Sequence, residues 1–157
     1  MRSMCLTNPA VLSIALATSL GATVAIATDA RAQDAGAKLS PTVNGANQVD
    51  AQGARNQGDP DGTGSFSGRL VPGQGQLCYT LTWSGIDAPT MAHIHTGAAG
   101  TNGPVFVPFP DLTPGEHCTA VDPAKAAAIV AKPQDFYVNI HNAPFPRGAI
   151  RGQIAKN

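Results

Sequence analysis

The stretch Leu77-Cys78-Tyr79-Thr80-Leu81-Thr82-Trp83 alternates strictly, with Leu77, Tyr79, Leu81 and Trp83 on one side and Cys78, Thr80 and Thr82 on the other. That period of two is the mark of a β-strand with one buried face. Such a strand needs partners in a sheet and a second layer over its apolar side. Neighbouring segments offer both. Residues 64–70 read as a strand that turns through Pro72-Gly73-Gln74-Gly75 into this one. Further short strands are predicted at 91–95, 105–107, 136–141 and 149–154, each bounded by Gly, Pro or Asn, with a weaker one between Leu39 and Val49. Strong helix formers are scarce, Glu116 being the only glutamate, and only residues 123–130 read as a helix, with Asp122 as N-cap and Pro123 in the first turn. The expected fold is all-β, an antiparallel Greek-key sandwich with one short helix. Its core is expected from Leu77, Tyr79, Leu81, Trp83, Ile94, Val105, Val107, Phe136, Val138, Ile140, Ile150 and Ile154.

The N-terminus has a different character. Arg2 precedes an apolar run that starts at Val11-Leu12-Ser13-Ile14-Ala15-Leu16-Ala17 and extends through Val24 and Ile26, and Ala30 and Ala32 flank Arg31 in an A-x-A pattern. A positive start, an apolar core and small residues at the end form a secretory signal. Thr18, Ser19, Gly21 and Thr23 interrupt the run, which falls short of the ~20 strongly apolar residues of a membrane span. Cys5 precedes the apolar core, which does not suit a lipid anchor. Residues 1–32 are therefore expected to be a signal peptide, 33–38 a flexible leader and 39–157 a single domain, periplasmic or secreted, with no membrane span after cleavage.

Cleavage would leave about 125 residues, enough for one core. Nine acidic against eight basic side chains would remain, a balance that gives no long-range attraction to nucleic acid or anionic lipid. Cys78 and Cys118 would be the only cysteines left, and in an oxidising compartment two cysteines most simply form one disulfide. The rival readings are a free thiol pair or a metal site using sulfur. Asp59-Pro60-Asp61-Gly62 reads as a tight turn, because it lacks the regularly spaced oxygen ligands and closing glutamate of a helix-loop-helix calcium loop.

The last two thirds of the chain carry a more specific pattern. Ala92-His93-Ile94-His95-Thr96-Gly97, Asn102-Gly103-Pro104-Val105, Tyr137-Val138-Asn139-Ile140-His141 and Arg151-Gly152-Gln153-Ile154 follow one another in the order and spacing of the CHRD domain family, which the chain resembles. The likeness extends upstream through 58–64 and Leu77-Cys78-Tyr79, so it covers nearly everything from Leu39. Ala149 departs from it, since an acidic residue often precedes the family's final Ile-Arg-Gly-Gln. The resemblance implies an immunoglobulin-like or Cu,Zn superoxide dismutase-like β-architecture in a solitary, secreted, bacterial module with no agreed catalytic activity. Growth-factor antagonism, the role of the animal members, does not carry over.

On a strand, His93 and His95 point to one face and Ile94 to the other, while Tyr137, Asn139 and His141 share a face opposite Phe136, Val138 and Ile140. If these strands are neighbours, three imidazoles converge on a set suited to copper or zinc. His-x-His is also similar to the pair that begins the copper site of Cu,Zn superoxide dismutase, but there is no second histidine cluster with an aspartate at the spacing of a bridged zinc site. The alternative is that these histidines hydrogen-bond loops at one end of the sandwich, with Asn102, Asn139 and Asn142 beside them. His117 reads as a solvated loop residue. Arg151 and Gln153 should face together, Arg151 pairing Asp135 or a chain carbonyl. No nucleophile motif, paired catalytic carboxylates or phosphate-cradling loop is recognisable.

Two functions from different classes follow. One is a non-enzymatic exported module that binds a protein or matrix component and needs no cofactor. The other is a copper- or zinc-binding protein using His93, His95 and His141, with a possible redox role. The signal makes its own prediction: mass spectrometry of the exported protein should find a chain beginning at Gln33, and recovery of the uncleaved chain in membranes would contradict the signal.

Overall fold

The computed structural model of the protein describes residues 36–155. The strands are β1 (Ala37–Leu39), β2 (Thr42–Asn44), β3 (Thr63–Val71), β4 (Gln76–Ser84), β5 (Met91–Thr96), β6 (Val105–Pro108), β7 (His117–Ala120), β8 (Phe136–His141) and β9 (Ile150–Gln153), and the α-helix is α1 (Pro123–Ala131). The described pairings are all antiparallel and follow one path, β6-β5-β8-β9-β2-β3-β4-β7, with β1 set against β3 beside β2. The all-β class with one helix is as expected. The predicted signal lies outside the described residues. Ala37 and Lys38, expected in the leader, pair instead with Leu70 and Arg69.

The sheet curls into a half-barrel, and the segment after β6 packs across its other half. Phe109, just past β6, stacks on Phe66 of β3 and Tyr79 of β4, at ring separations of 5.6 and 4.5 Å. The Tyr79 hydroxyl then donates to the Asp111 carbonyl at 2.9 Å. Residues 109–116 thus form a strap from the β6 edge across to β7 at the far end of the path. The concave side holds the core, where Ile94, Val138, Ile140, Ile150, Leu70 and Leu77 are fully buried and Ile129 of α1 plugs one side. Asp122 caps α1 as its sequence indicates, accepting from the Ala124 and Lys125 amides.

Three differences from the sequence reading have local causes. Val105 is 49% exposed, because the β5–β6 register shifts between Ile94 and His95: Ile94 faces Val107, but His95 faces Val105. The extra residue, Phe106, is a β-bulge that turns Val105 to the outer face. Trp83 is only partly buried, near the end of β4. His117, expected in a loop, lies on β7, a strand too short and polar to show in the sequence, with its Nδ1 3.2 Å from an Asp111 carboxylate oxygen.

Cys78 and Cys118 stand opposite each other in the β4–β7 ladder and form a disulfide. This sets aside free thiols and a sulfur-bearing metal site. Among the described residues no helix is long and apolar enough to cross a membrane. The bridge spans 40 residues, so replacing both cysteines by Ala should lower unfolding free energy by about 3–4 kcal/mol in urea titrations. Loss of less than about 1 kcal/mol would show that the β4–β7 ladder holds without it.

Candidate metal centre

β8 is buried along its whole length, on both faces. One face is apolar. On the other, ladder register lines up Met91, His93 and His95 of β5 with His141, Asn139 and Tyr137 of β8, and the last two with Arg151 and Gln153 of β9. A polar row this long stays out of water only where its groups are bonded. Here three loops, around residues 45–62, 97–104 and 142–149, cover it and supply the partners.

Arg151 is 2% exposed and lies at the centre of the row. Its guanidinium sits 3.4 Å from the centre of the Tyr137 ring. It donates to the carbonyls of Ala98 at 3.1 Å and Thr101 at 2.7 Å, and to the Asn102 side-chain oxygen at 3.2 Å. Of the two partners foreseen for it, the chain carbonyl is the one observed. The Asn102 amide in turn donates to the carbonyls of Val49 and Asp50, and Gln153 ties the Gly97 carbonyl at 2.8 Å. Thus the 97–104 loop is held by β9 and by the loop opposite. Gly103 in it can only be glycine, because a Cβ there would overlap the Thr96 carbonyl.

The Gly103 carbonyl accepts from His95 Nδ1 at 2.9 Å, and the Pro146 carbonyl accepts from His141 Nδ1 at 3.1 Å. A carbonyl only accepts, so each Nδ1 carries the proton and each Nε2 presents a lone pair. The His95 ring also lies flat on Tyr137, 5.0 Å away and within 7° of parallel, so it is clamped by stacking as well as by bonding. Tyr137 is therefore layered between His95 and Arg151. His93 Nδ1 faces His141 Nε2 at 3.4 Å. One donor nitrogen from each of the three rings falls within 4.8 Å of the others. His95 Nε2 is buried with no hydrogen-bond partner, a costly state for an acceptor.

Desolvation is the largest cause of a lowered pKa at all three histidines, and at His93, where the His141 and His95 imidazoles add to it, the value falls to about 4. His141 and Arg151 also lower His95, while the Gly103 and Pro146 carbonyls work in the opposite direction at His95 and His141. The cluster is thus neutral at pH 7, the form that ligates metal.

The structure brings His93, His95 and His141 together, as the strand arithmetic expects. His117 lies on β7, at the far end of the sheet path from β5. Asn139 and Asn142 are buried neighbours, Asn139 accepting from the Gln48 side chain and Asn142 from the Phe145 amide. The Gly103 and Pro146 carbonyls could not be foreseen, since main-chain acceptors leave no trace in residue identity. Both readings of the histidines describe part of the same geometry, with Nδ1 of His95 and His141 bonding loops, Nε2 of His141 facing His93 and Nε2 of His95 left over.

The polar row, the capped loops and the Arg-Gly-Gln strand are the motifs that run through residues 39–154, and over that span the chain matches the CHRD domain. The chain belongs to the CHRD domain family. No curated protein and no solved structure gives a match. Within this CHRD domain, Arg151 is the residue on which the 97–104 loop rests. Arg151→Met should lower unfolding free energy by about 2–4 kcal/mol, because the Ala98 and Thr101 carbonyls lose their donor. Amide exchange should also quicken across that loop. An unchanged urea midpoint would mean that the loop is held by other contacts.

Proposed function

We propose that this CHRD-domain protein is exported and binds one copper or zinc ion through His93, His95 and His141. The observation that carries the reading is the buried, unpartnered Nε2 of His95, set in a group of three donor nitrogens within 4.8 Å of one another. Carbonyls at Nδ1 of His95 and His141 orient those rings and raise their basicity, as the outer partners of metal-bound histidines do. Three imidazoles with no carboxylate among them disfavour calcium and magnesium and suit zinc or copper, with a fourth position open. His95 Nε2 and His141 Nε2 supply two of the donors and the His93 ring supplies the third.

A second reading, binding of a protein or matrix component, is favoured by a concavity of about 290 Å³ beside His95, lined by Gln48, Asp50, Asn102, Tyr137 and Asn139 among others. It is compatible with a metal ion, because His95 borders both.

Protein purified without a histidine tag should take up one equivalent of copper or zinc in calorimetric titrations, and His95→Ala should weaken uptake about tenfold or more. Protons compete with the metal, and the histidine pKa values lie below the ordinary imidazole value. Occupancy should therefore hold down to about pH 6 and fall as the pH approaches about 4, where His93 titrates. The metal-free domain shares this direction. Its unfolded state takes up protons from about pH 6.5 downward and its folded state only later, so stability present above that pH is lost progressively as acid is added. Failure of the wild-type protein to bind either metal at pH 7 would refute the metal reading and leave the binding module.

A further inference from the structure

Met91 and Val105 are exposed large apolar side chains of the domain, and Met91 is 46% exposed. Its position is set by register. In the β5–β8 ladder Met91 stands directly opposite His141, and on its own strand it lies two residues before His93. Cross-strand partners point to the same face with Cβ atoms about 4.5–5.5 Å apart, and residues two apart on one strand also share a face. Met91 therefore extends the row of His93 and His95 by one place, at the end where the cluster opens: His93 is half-buried, whereas His95 and His141 are buried.

We infer that Met91 is a fourth ligand of the triad's metal ion and that its thioether makes the site select Cu(I) over zinc. The inference rests on the metal reading of the three histidines and goes beyond it by naming a ligand and an oxidation state. Three features of this chain support it. The triad leaves one coordination position, and the exposed Met91 stands opposite His141 in the ladder and two residues before the half-buried His93. Methionine has three rotatable bonds and a polarisable sulfur, so an exposed Met91 can swing over an ion held by those two rings without moving the backbone. Thioether sulfur is a soft donor that favours Cu(I), while zinc gains little from it. The chain's other methionines, Met1 and Met4, belong to the predicted signal, and both mature cysteines are in the disulfide. No other thioether or thiol of the mature chain competes for the role.

The test compares the cleaved wild-type protein with Met91→Leu, which keeps volume and apolarity. Cu(I) affinity is read anaerobically by competition with a chromogenic Cu(I) chelator, and zinc affinity by calorimetry. Met91→Leu should weaken Cu(I) binding about tenfold or more and change zinc binding less than about twofold. X-ray absorption of the Cu(I) form should show a sulfur neighbour in the wild type that is absent from Met91→Leu. Equal Cu(I) affinity in the two proteins, with only nitrogen neighbours around copper, would overturn the inference and leave the three-histidine site standing. Uptake of neither metal by the wild type would bring down the triad reading itself, and this ligand with it. A parallel loss of Cu(I) and zinc affinity in Met91→Leu would show a packing effect on the histidines and also overturn the ligand role.

Discussion

A guanidinium kept almost wholly from water is the constraint around which the outer face is arranged. Arg151 cannot give up its charge, so burying it demands acceptors on every side. It finds them in the Ala98 and Thr101 carbonyls, the Asn102 side chain and the face of the Tyr137 ring. Those partners belong to the loop that carries Gly103, whose carbonyl fixes His95, and to the ring on which His95 is stacked. The orientation of one imidazole is thus traceable through two short paths to a charge on β9. Electrostatics at the histidines and loop geometry are one problem here.

The apolar side of this sheet was readable because alternation alone determines it. Ile94, Val138, Ile140, Ile150 and Leu77 are buried where the period of two puts them, and the same parity places His93, His95 and His141 on the opposite face. What parity cannot encode is an insertion into the ladder. The bulge at Phe106 reverses Val105 while leaving Val107 in the core, and nothing in Val105-Phe106-Val107 marks which residue is extra. β7 was missed for another reason: His117-Cys118-Thr119-Ala120 has no apolar face, and its place depends on the ladder and disulfide partners that β4 provides. The neighbourhood of the histidines was legible only in part, since side-chain parity gives the cluster but the carbonyls that hold it are main-chain groups of the loops following β5 and β8, which residue identity does not mark. Met91 is the instructive omission, because the alternation that pairs His93 with His95 also reaches it.

Two-sided burial of β8 sets this CHRD domain apart from a sheet with one face in water. Antiparallel sheets commonly leave one face solvated, and a polar row such as Tyr137, Asn139, His141, Arg151 and Gln153 would sit comfortably there. Loops from three parts of the chain instead close over it, two of them through carbonyls that meet side chains of the row and the 45–62 loop through the Gln48 amide on Asn139. Gly148, at φ 134°, marks how close that approach is: a Cβ on it would run into the Gln48 and Asn139 side chains. The layer is held by hydrogen bonds where the opposite layer is held by apolar packing.

The strap that crosses the curled sheet lies wholly inside the 40-residue loop bounded by Cys78 and Cys118. Its stretch Thr113-Pro114-Gly115-Glu116 is exposed. A protease that severs it cuts the polypeptide without separating the pieces, because sulfur joins the two sides of the break and the β4–β7 ladder keeps their register. Such a nicked molecule would migrate as two fragments only after reduction. Backbone continuity and covalent integrity are therefore different properties in this protein, and the second outlasts the first.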